Sequence, residues 1–151
     1  MQDHPKGIYI EAMGRSIVST SKSQDIATII RNSSAFILPG RFAMARVQET
    51  EKEIEFFFFA RDGLENTIVV EESGLAQVKY EDVQKWFKVI RLAVSVPFFS
   101  VGFLAKVSGA LADRGLNILI ISTYSNDYLL IRENDVEVAI EALKRLGFQT
   151  E

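Results

Sequence analysis

From Trp86 onward the apolar residues change spacing in an order that few folds accommodate. Residues 86–96 carry Phe87, Val89 and Ala93 on one parity and Ile90, Leu92, Val94 and Val96 on the other. That predicts a strand that is apolar on both faces, ended by Pro97. Residues 101–114 place Leu104, Val107 and Leu111 at i, i+3 and i+7, with Ser100 as N-cap and Gly115 at C′, which predicts a helix. Residues 117–122 and 128–132 read as a hairpin. Asn134 and Glu137 resemble a capping box. Val136, Ala139, Ile140, Leu143 and Leu146 then form the stripe of a last helix, which Gly147 stops. Phe148-Gln149-Thr150 reads as a short final strand. The order is βαββαβ, the split βαβ or ferredoxin-like arrangement: an α+β fold with two helices on one face of a four-stranded antiparallel sheet. The loop after its first strand and the turn after its second then lie together at one edge.

One consequence concerns the face without helices. Ile118-Leu119-Ile120-Ile121 and Leu129-Leu130-Ile131 are apolar at every position. The uncovered face must meet either the first half of the chain or a second copy. Burying three or four such side chains contributes on the order of 5–10 kcal/mol, at about 2 kcal/mol each.

The first half is less regular. Ile8-Tyr9-Ile10 reads as a short strand or extended segment, and residues 16–23 as a polar loop. Residues 24–31 space Ile26, Ile29 and Ile30 as a helix would, with Ser23 as N-cap and Asn32-Ser33-Ser34 as its end. Phe36-Ile37-Leu38 leads into a turn or bulge at Pro39-Gly40. Residues 41–47 read as a strand with Phe42, Met44 and Arg46 on one side, and 48–53 as a charged turn. Phe56 to Phe59 are four consecutive phenylalanines; in a strand two would point to each face, so both faces are expected to be covered. Arg61-Asp62-Gly63 reads as a turn and Thr67-Ile68-Val69-Val70 as a strand pairing back on the phenylalanines. Residues 71–79 read as loop, with Glu71 and Glu72 on a solvated face.

Composition narrows the function. The chain has 151 residues, 48% hydrophobic and 25% charged, enough to bury a core. A net charge of -3 and a pI near 5.3 argue against general nucleic-acid binding, which needs a basic face. There is no cysteine, and His4 is the single histidine, so thiolate chemistry, a multi-histidine metal site and a Ser-His-Asp triad are not expected. No apolar run reaches the roughly 20 residues of a membrane span, and residues 1–6 lack the apolar core of a secretory signal. A cytoplasmic protein without cofactors is expected. No phosphate loop, glycine-rich dinucleotide motif or paired His/Glu helix motif occurs, so no enzyme is expected either.

The chemistry concentrates around the first helix of the βαββαβ unit and the following hairpin. At Ser100-Val101-Gly102, free backbone N–H groups and the helix dipole suit a carboxylate, and Gly102 lets a ligand approach the backbone. An ordinary N-cap explains the same residues. Asp127 suits an ammonium and Thr123 a carboxylate, while plain turn chemistry at Asn126-Asp127 is the alternative. The Phe98-Phe99 pair reads as core.

The run Ser122-Thr123-Tyr124-Ser125-Asn126-Asp127-Tyr128-Leu129-Leu130-Ile131, preceded by Gly115-Leu116-Asn117-Ile118, resembles the ACT domains of small two-domain proteins and of arginine sensors of the CASTOR type. Leu38-Pro39-Gly40-Arg41-Phe42-Ala43 and Trp86-Phe87-Lys88-Val89 are similar to that family's first half. The likeness covers roughly residues 37–148. It implies tandem ferredoxin-like ACT modules: an N-terminal extension with a short helix at 1–35, an incomplete first module at 36–85 and a second at 86–151. It further implies a stand-alone regulatory or sensor protein, a homodimer, that binds an amino acid at an interface between modules. The family's ligand-contacting Thr-aromatic-x-x-Asp run is matched by Thr123, Tyr124 and Asp127, and its helix-leading glycine by Gly102. The implied ligand set is Ser100, Val101, Gly102, Thr123, Tyr124 and Asp127. The first half departs from the pattern: Arg61-Asp62-Gly63 stands at the equivalent turn, and 48–53 is too short for a full helix. The resemblance thus carries no second, equivalent pocket. An interaction or scaffold module with a degenerate pocket is the alternative.

Overall fold

The structure is a computed structural model and describes residues 25–48, 54–94 and 100–150. The expectations for 8–10, 16–23, 49–53 and 95–99 lie outside the described residues. The elements are α1 (Ile26–Arg31), β1 (Ser34–Ile37), β2 (Phe42–Val47), β3 (Phe58–Arg61), β4 (Asn66–Glu71), α2 (Glu72–Leu75), β5 (Asp82–Ala93), α3 (Phe103–Ala112), β6 (Ile118–Ser122), β7 (Asp127–Arg132), a 3₁₀ turn (Glu133–Asp135), α4 (Val136–Leu146) and β8 (Gln149–Thr150). No described helix is long and apolar enough to cross a membrane.

All eight strands share one sheet, and β5 is its axis. Its first half pairs with β2, from Arg46↔Asp82 to Phe42↔Phe87. Its second half carries β1 on the same edge, from Ile37↔Ile90 to Ser34↔Ala93. β7 lies on the opposite edge, from Phe87↔Arg132 to Leu92↔Asp127, with β6 beyond it. β1 and β2 are thus two stretches of one long edge, separated by a bend at Pro39-Gly40 where Gly40 has φ +81°. β4 and then β3 extend the sheet outward from β2.

The β5-α3-β6-β7-α4-β8 portion is ferredoxin-like, as its periodicity predicts, with one insertion. β8 does not pair with β5: it lies parallel to β1, at Ser34↔Gln149 and Ala35↔Thr150, and β1 lies between it and β5. The reason is visible in the core. Ile29, Ile30 and Ala35 pack into the same cluster as Ile90, Leu92, Val107, Leu111, Leu143 and Phe148. Ordering α1 there brings β1 onto the free edge of β5. These pairings run across divisions at 35/36 and 85/86, because β1 joins the C-terminal sheet and β5 serves both halves.

Both C-terminal helices end in Schellman motifs. Gly115 N–H donates to Ala112 O and Leu116 N–H to Leu111 O; Gly147 N–H donates to Lys144 O and Phe148 N–H to Leu143 O. Helix starts were read less well. α3 buries Phe103, Val107 and Leu111, while Leu104 is 38% exposed. No capping box forms at α4, which follows a 3₁₀ turn with Asp135 at the N-cap and no side-chain cap. α1 has Asp25 at its N-cap, also without a side-chain cap. The loop expected over 71–79 contains α2, because Leu75 and Val78 drop into a cluster with Ala43, Ala45, Val47, Ile68 and Val70. β5 begins at Asp82 rather than Trp86.

The helix-free face is covered in part from within the chain. Phe42 and Val69 of the first half share a cluster with Phe87, Val89, Ile121 and Leu130, and Leu38, Phe57 and Tyr128 pack against it. Phe57 joins the halves: its ring stands 5.5 Å from Phe42 and 5.1 Å, edge-on, from Tyr128. The four phenylalanines do not divide two and two. β3 starts only at Phe58, so Phe57 and Phe58 both reach this cluster, Phe59 reaches the cluster under α2, and Phe56 is 39% exposed.

Candidate functional site

Register brings the end of β5 and the β6–β7 turn to one end of the sheet. Leu92 pairs with Asp127, and Ser122 also pairs with Asp127. The β6–β7 turn and the last residues of β5 therefore lie at the same end of the sheet. The turn is tightly tied. Thr123 N–H donates to Asn126 O at 2.9 Å, and the Thr123 hydroxyl donates to the same oxygen at 3.3 Å. The Ser122 hydroxyl donates to Asp127 Oδ1 at 2.5 Å. Thr123 and Asp127, expected to meet a ligand, already serve the turn. Tyr124 projects outward, 88% exposed.

At the helix, Gly102 occupies the N-cap position rather than Ser100. Its φ of +91° lies in the left-handed region, and a Cβ there would meet nothing within 4 Å. The backbone conformation, not packing, calls for glycine at this point. The Gly102 carbonyl accepts the Lys106 N–H at 3.0 Å, and the half-buried Ser100 accepts the Phe103 N–H through its carbonyl at 3.5 Å. No side chain caps α3, so apart from the Phe103 N–H its first-turn N–H groups have no intrahelical partner. Val101 is 92% exposed. The segment thus offers backbone donors, and the Val101 side chain faces solvent.

Two further features had no clear signal in the sequence. Arg41, just past the Pro39-Gly40 bend, donates from Nε to Glu72 Oε2 at 2.6 Å and from Nη2 to Glu72 Oε1. Its Nη1 lies 3.5 Å from Glu133, and its guanidinium stands 4.6 Å from the centre of the Trp86 ring. The Glu72 hydrogen bond is the main cause that raises the Arg41 pKa, and the same bond holds Glu72 below the usual carboxylate range. The cluster ties α2 to the turn after β7.

The second feature is a cleft of about 550 Å³ beside the same bend, lined on one side by Ser73 and Gly74 of α2. Leu38, Phe42 and Phe57 are its buried or half-buried apolar lining, and Glu55, Phe56 and Glu71 line it from exposed positions. Sequence reading placed Glu71 on a solvated face, and only the pairing Phe42↔Glu71 sets it beside the bend. Among the described residues no group of three or more His, Asp or Glu side chains could hold a metal ion.

Comparisons with known proteins agree with this architecture. Residues 83–145 match the family model described as ACT domain. No curated protein matches the chain. A Vibrio cholerae protein of unknown function superposes with a TM-score of 0.72 at 20% identity, covering 81% of this chain and 95% of that one. A protein from Agrobacterium tumefaciens gives 0.62 at 24% identity, covering 79% and 92%. The regulatory subunit of aspartate kinase from Thermus flavus gives 0.56 at 14% identity, covering 75% and 96%. Motif, topology and family match converge on one segment: residues 83–145 match an ACT domain, and their strand and helix order agrees with that match.

Proposed function

We propose that this protein is a regulatory sensor that binds an amino acid at the sheet end formed by Ser100, Val101, Gly102, Thr123, Tyr124 and Asp127. The observation that supports this reading is the register at Leu92↔Asp127, which sets the end of β5, the strand that precedes α3 in the chain, level with the hairpin carboxylate. The α-carboxylate would meet the first-turn N–H groups of α3, and the ammonium would meet Asp127 Oδ2. The structural likeness to a regulatory subunit of aspartate kinase supports a regulatory role of this kind. The reading assigns no catalytic step, and it places the protein in the cytoplasm as modules 36–85 and 86–151, with β1 lent to the second.

The reading includes a homodimer. Among the described strands β6 pairs with β7 alone, and Leu119 and Ile120 on it are 36% and 38% exposed, so a second copy would cover this edge. The alternative, an interaction module with a degenerate pocket, gains from the Ser122–Asp127 and Thr123–Asn126 hydrogen bonds, which engage both polar side chains.

A thermal-shift screen against the twenty amino acids separates the two. A ligand at 100 times its Kd stabilises by about 2.7 kcal/mol. That raises the midpoint by about 5–10 °C for a chain of this size. A shift with one or two amino acids, lost in an Asp127→Ala variant of unchanged circular dichroism, supports the sensor. No shift from any of them refutes it in favour of the interaction module.

A further inference from the structure

We propose that the cleft beside the Pro39-Gly40 bend is a second, separate binding site, and that it takes a primary ammonium carried on an aryl or branched-alkyl body. The shape and wall come first. Its volume, about 550 Å³, lies within the range of small-molecule sites, and Leu38, Phe42 and Phe57 supply an apolar wall. Phe42 and Phe57 are themselves a tilted pair with ring centres 5.5 Å apart, so two aromatic rings already define that wall. An aryl or branched-alkyl group would bury against them.

The charge pattern then selects the head group. Glu55 and Glu71 line the cleft, and no lysine, arginine or histidine stands among its described lining residues. Neither carboxylate makes a side-chain hydrogen bond or ion pair with another described residue. Glu72, one residue from Glu71, contrasts with this, since Arg41 holds it from two nitrogens. Glu71 is also positioned. Its Oε1 lies 2.8 Å from where a Cβ on Gly40 would stand, so the carboxylate rests against the bend. An ammonium donates three hydrogen bonds and would find two anionic acceptors and two ring faces. A free amino acid would bring its own carboxylate into a site whose described lining residues offer negative charge and no counter-charge. The cleft therefore discriminates an amine from its parent amino acid, the reverse of what the α3 end would select.

Isothermal titration of the full chain with 2-phenylethylamine, L-phenylalanine and 3-phenylpropionate tests this. The amine should bind at least tenfold more tightly than either carboxylate-bearing probe. Glu71→Gln should weaken it tenfold or more, and the Glu55→Gln, Glu71→Gln double variant should abolish it. Both carboxylates are exposed, so neutral isosteres leave the fold intact, which circular dichroism checks. Asp127→Ala should leave amine binding unchanged, which keeps this site distinct from the sensor reading. No binding of the amine at millimolar concentration overturns the proposal. So does equal affinity for L-phenylalanine, binding that survives the double variant, or loss of binding in Asp127→Ala.

Discussion

The rotational setting of α3 can be tested with one pair of substitutions. Periodicity alone favours Leu104 as a core position, but the structure buries Phe103 to 4% exposure and leaves Leu104 at 38%. Phe103 also meets Phe148 edge-on, with ring centres 6.1 Å apart. Truncating a fully buried phenylalanine costs about 3–5 kcal/mol, as transfer and cavity terms together. For a chain of this size that is a fall in Tm of about 6–20 °C. Leu104→Ala removes a side chain that is already partly in water and introduces the best helix former, so it should cost about 1 kcal/mol. Both variants are compared by urea unfolding, followed through the single tryptophan, Trp86, with calorimetry as a check. Phe103→Ala should be the worse by at least about 2 kcal/mol. Equal costs, or a larger cost for Leu104→Ala, would refute this setting. The helix would then be turned by one residue.

Three other outcomes follow from the same coordinates. Gly102→Ala should lower stability by about 1–2 kcal/mol through backbone strain at φ +91°, since the new Cβ meets nothing; an unchanged Tm would mean the turn relaxes freely. A double-mutant cycle of Phe57→Leu and Tyr128→Leu should show a coupling of about 0.5–1.5 kcal/mol, and additivity within error would remove the proposed bridge between the halves. Asp62 is held below the usual carboxylate range by the N–H groups of Glu65 and Leu64, and Glu72 by Arg41. Their stabilisation is present at neutral pH and is lost as pH falls through and below about 4, so Asp62→Asn and Glu72→Gln should flatten the acid limb of a stability profile; an unaltered limb contradicts the assignment.

What could be read in the sequence was what local spacing encodes. The α4 stripe, the β6–β7 hairpin and the glycine stops at 115 and 147 all stand where periodicity and cap chemistry set them. The order of elements from β5 onward followed from those pieces. What stayed hidden depends on partners distant in the chain. β1 has four residues and β8 two, and nothing local in either marks their parallel pairing. α2 is a single turn that forms because Leu75 and Val78 find a core, not because Glu72-Ser73-Gly74 favours helix. At the candidate site, residue types pointed to Gly102 and the hairpin. Whether Ser100 or Gly102 caps the helix depended on a backbone angle, and the Ser122–Asp127 bond on a side-chain orientation, neither of which spacing specifies.

The position of β1 has a consequence for how the protein is made. Ala35 must wait for Thr150 before its outer edge is paired, so the sheet cannot close until the ribosome has delivered residue 150. The β2-β3-β4 unit, whose partners are near in sequence, can form early. During synthesis β1 then faces a choice: remain unpaired, or dock on β5 with one side open. A chaperone that shields such an edge would act on this nascent chain late, at the stage when β8 is still inside the exit tunnel.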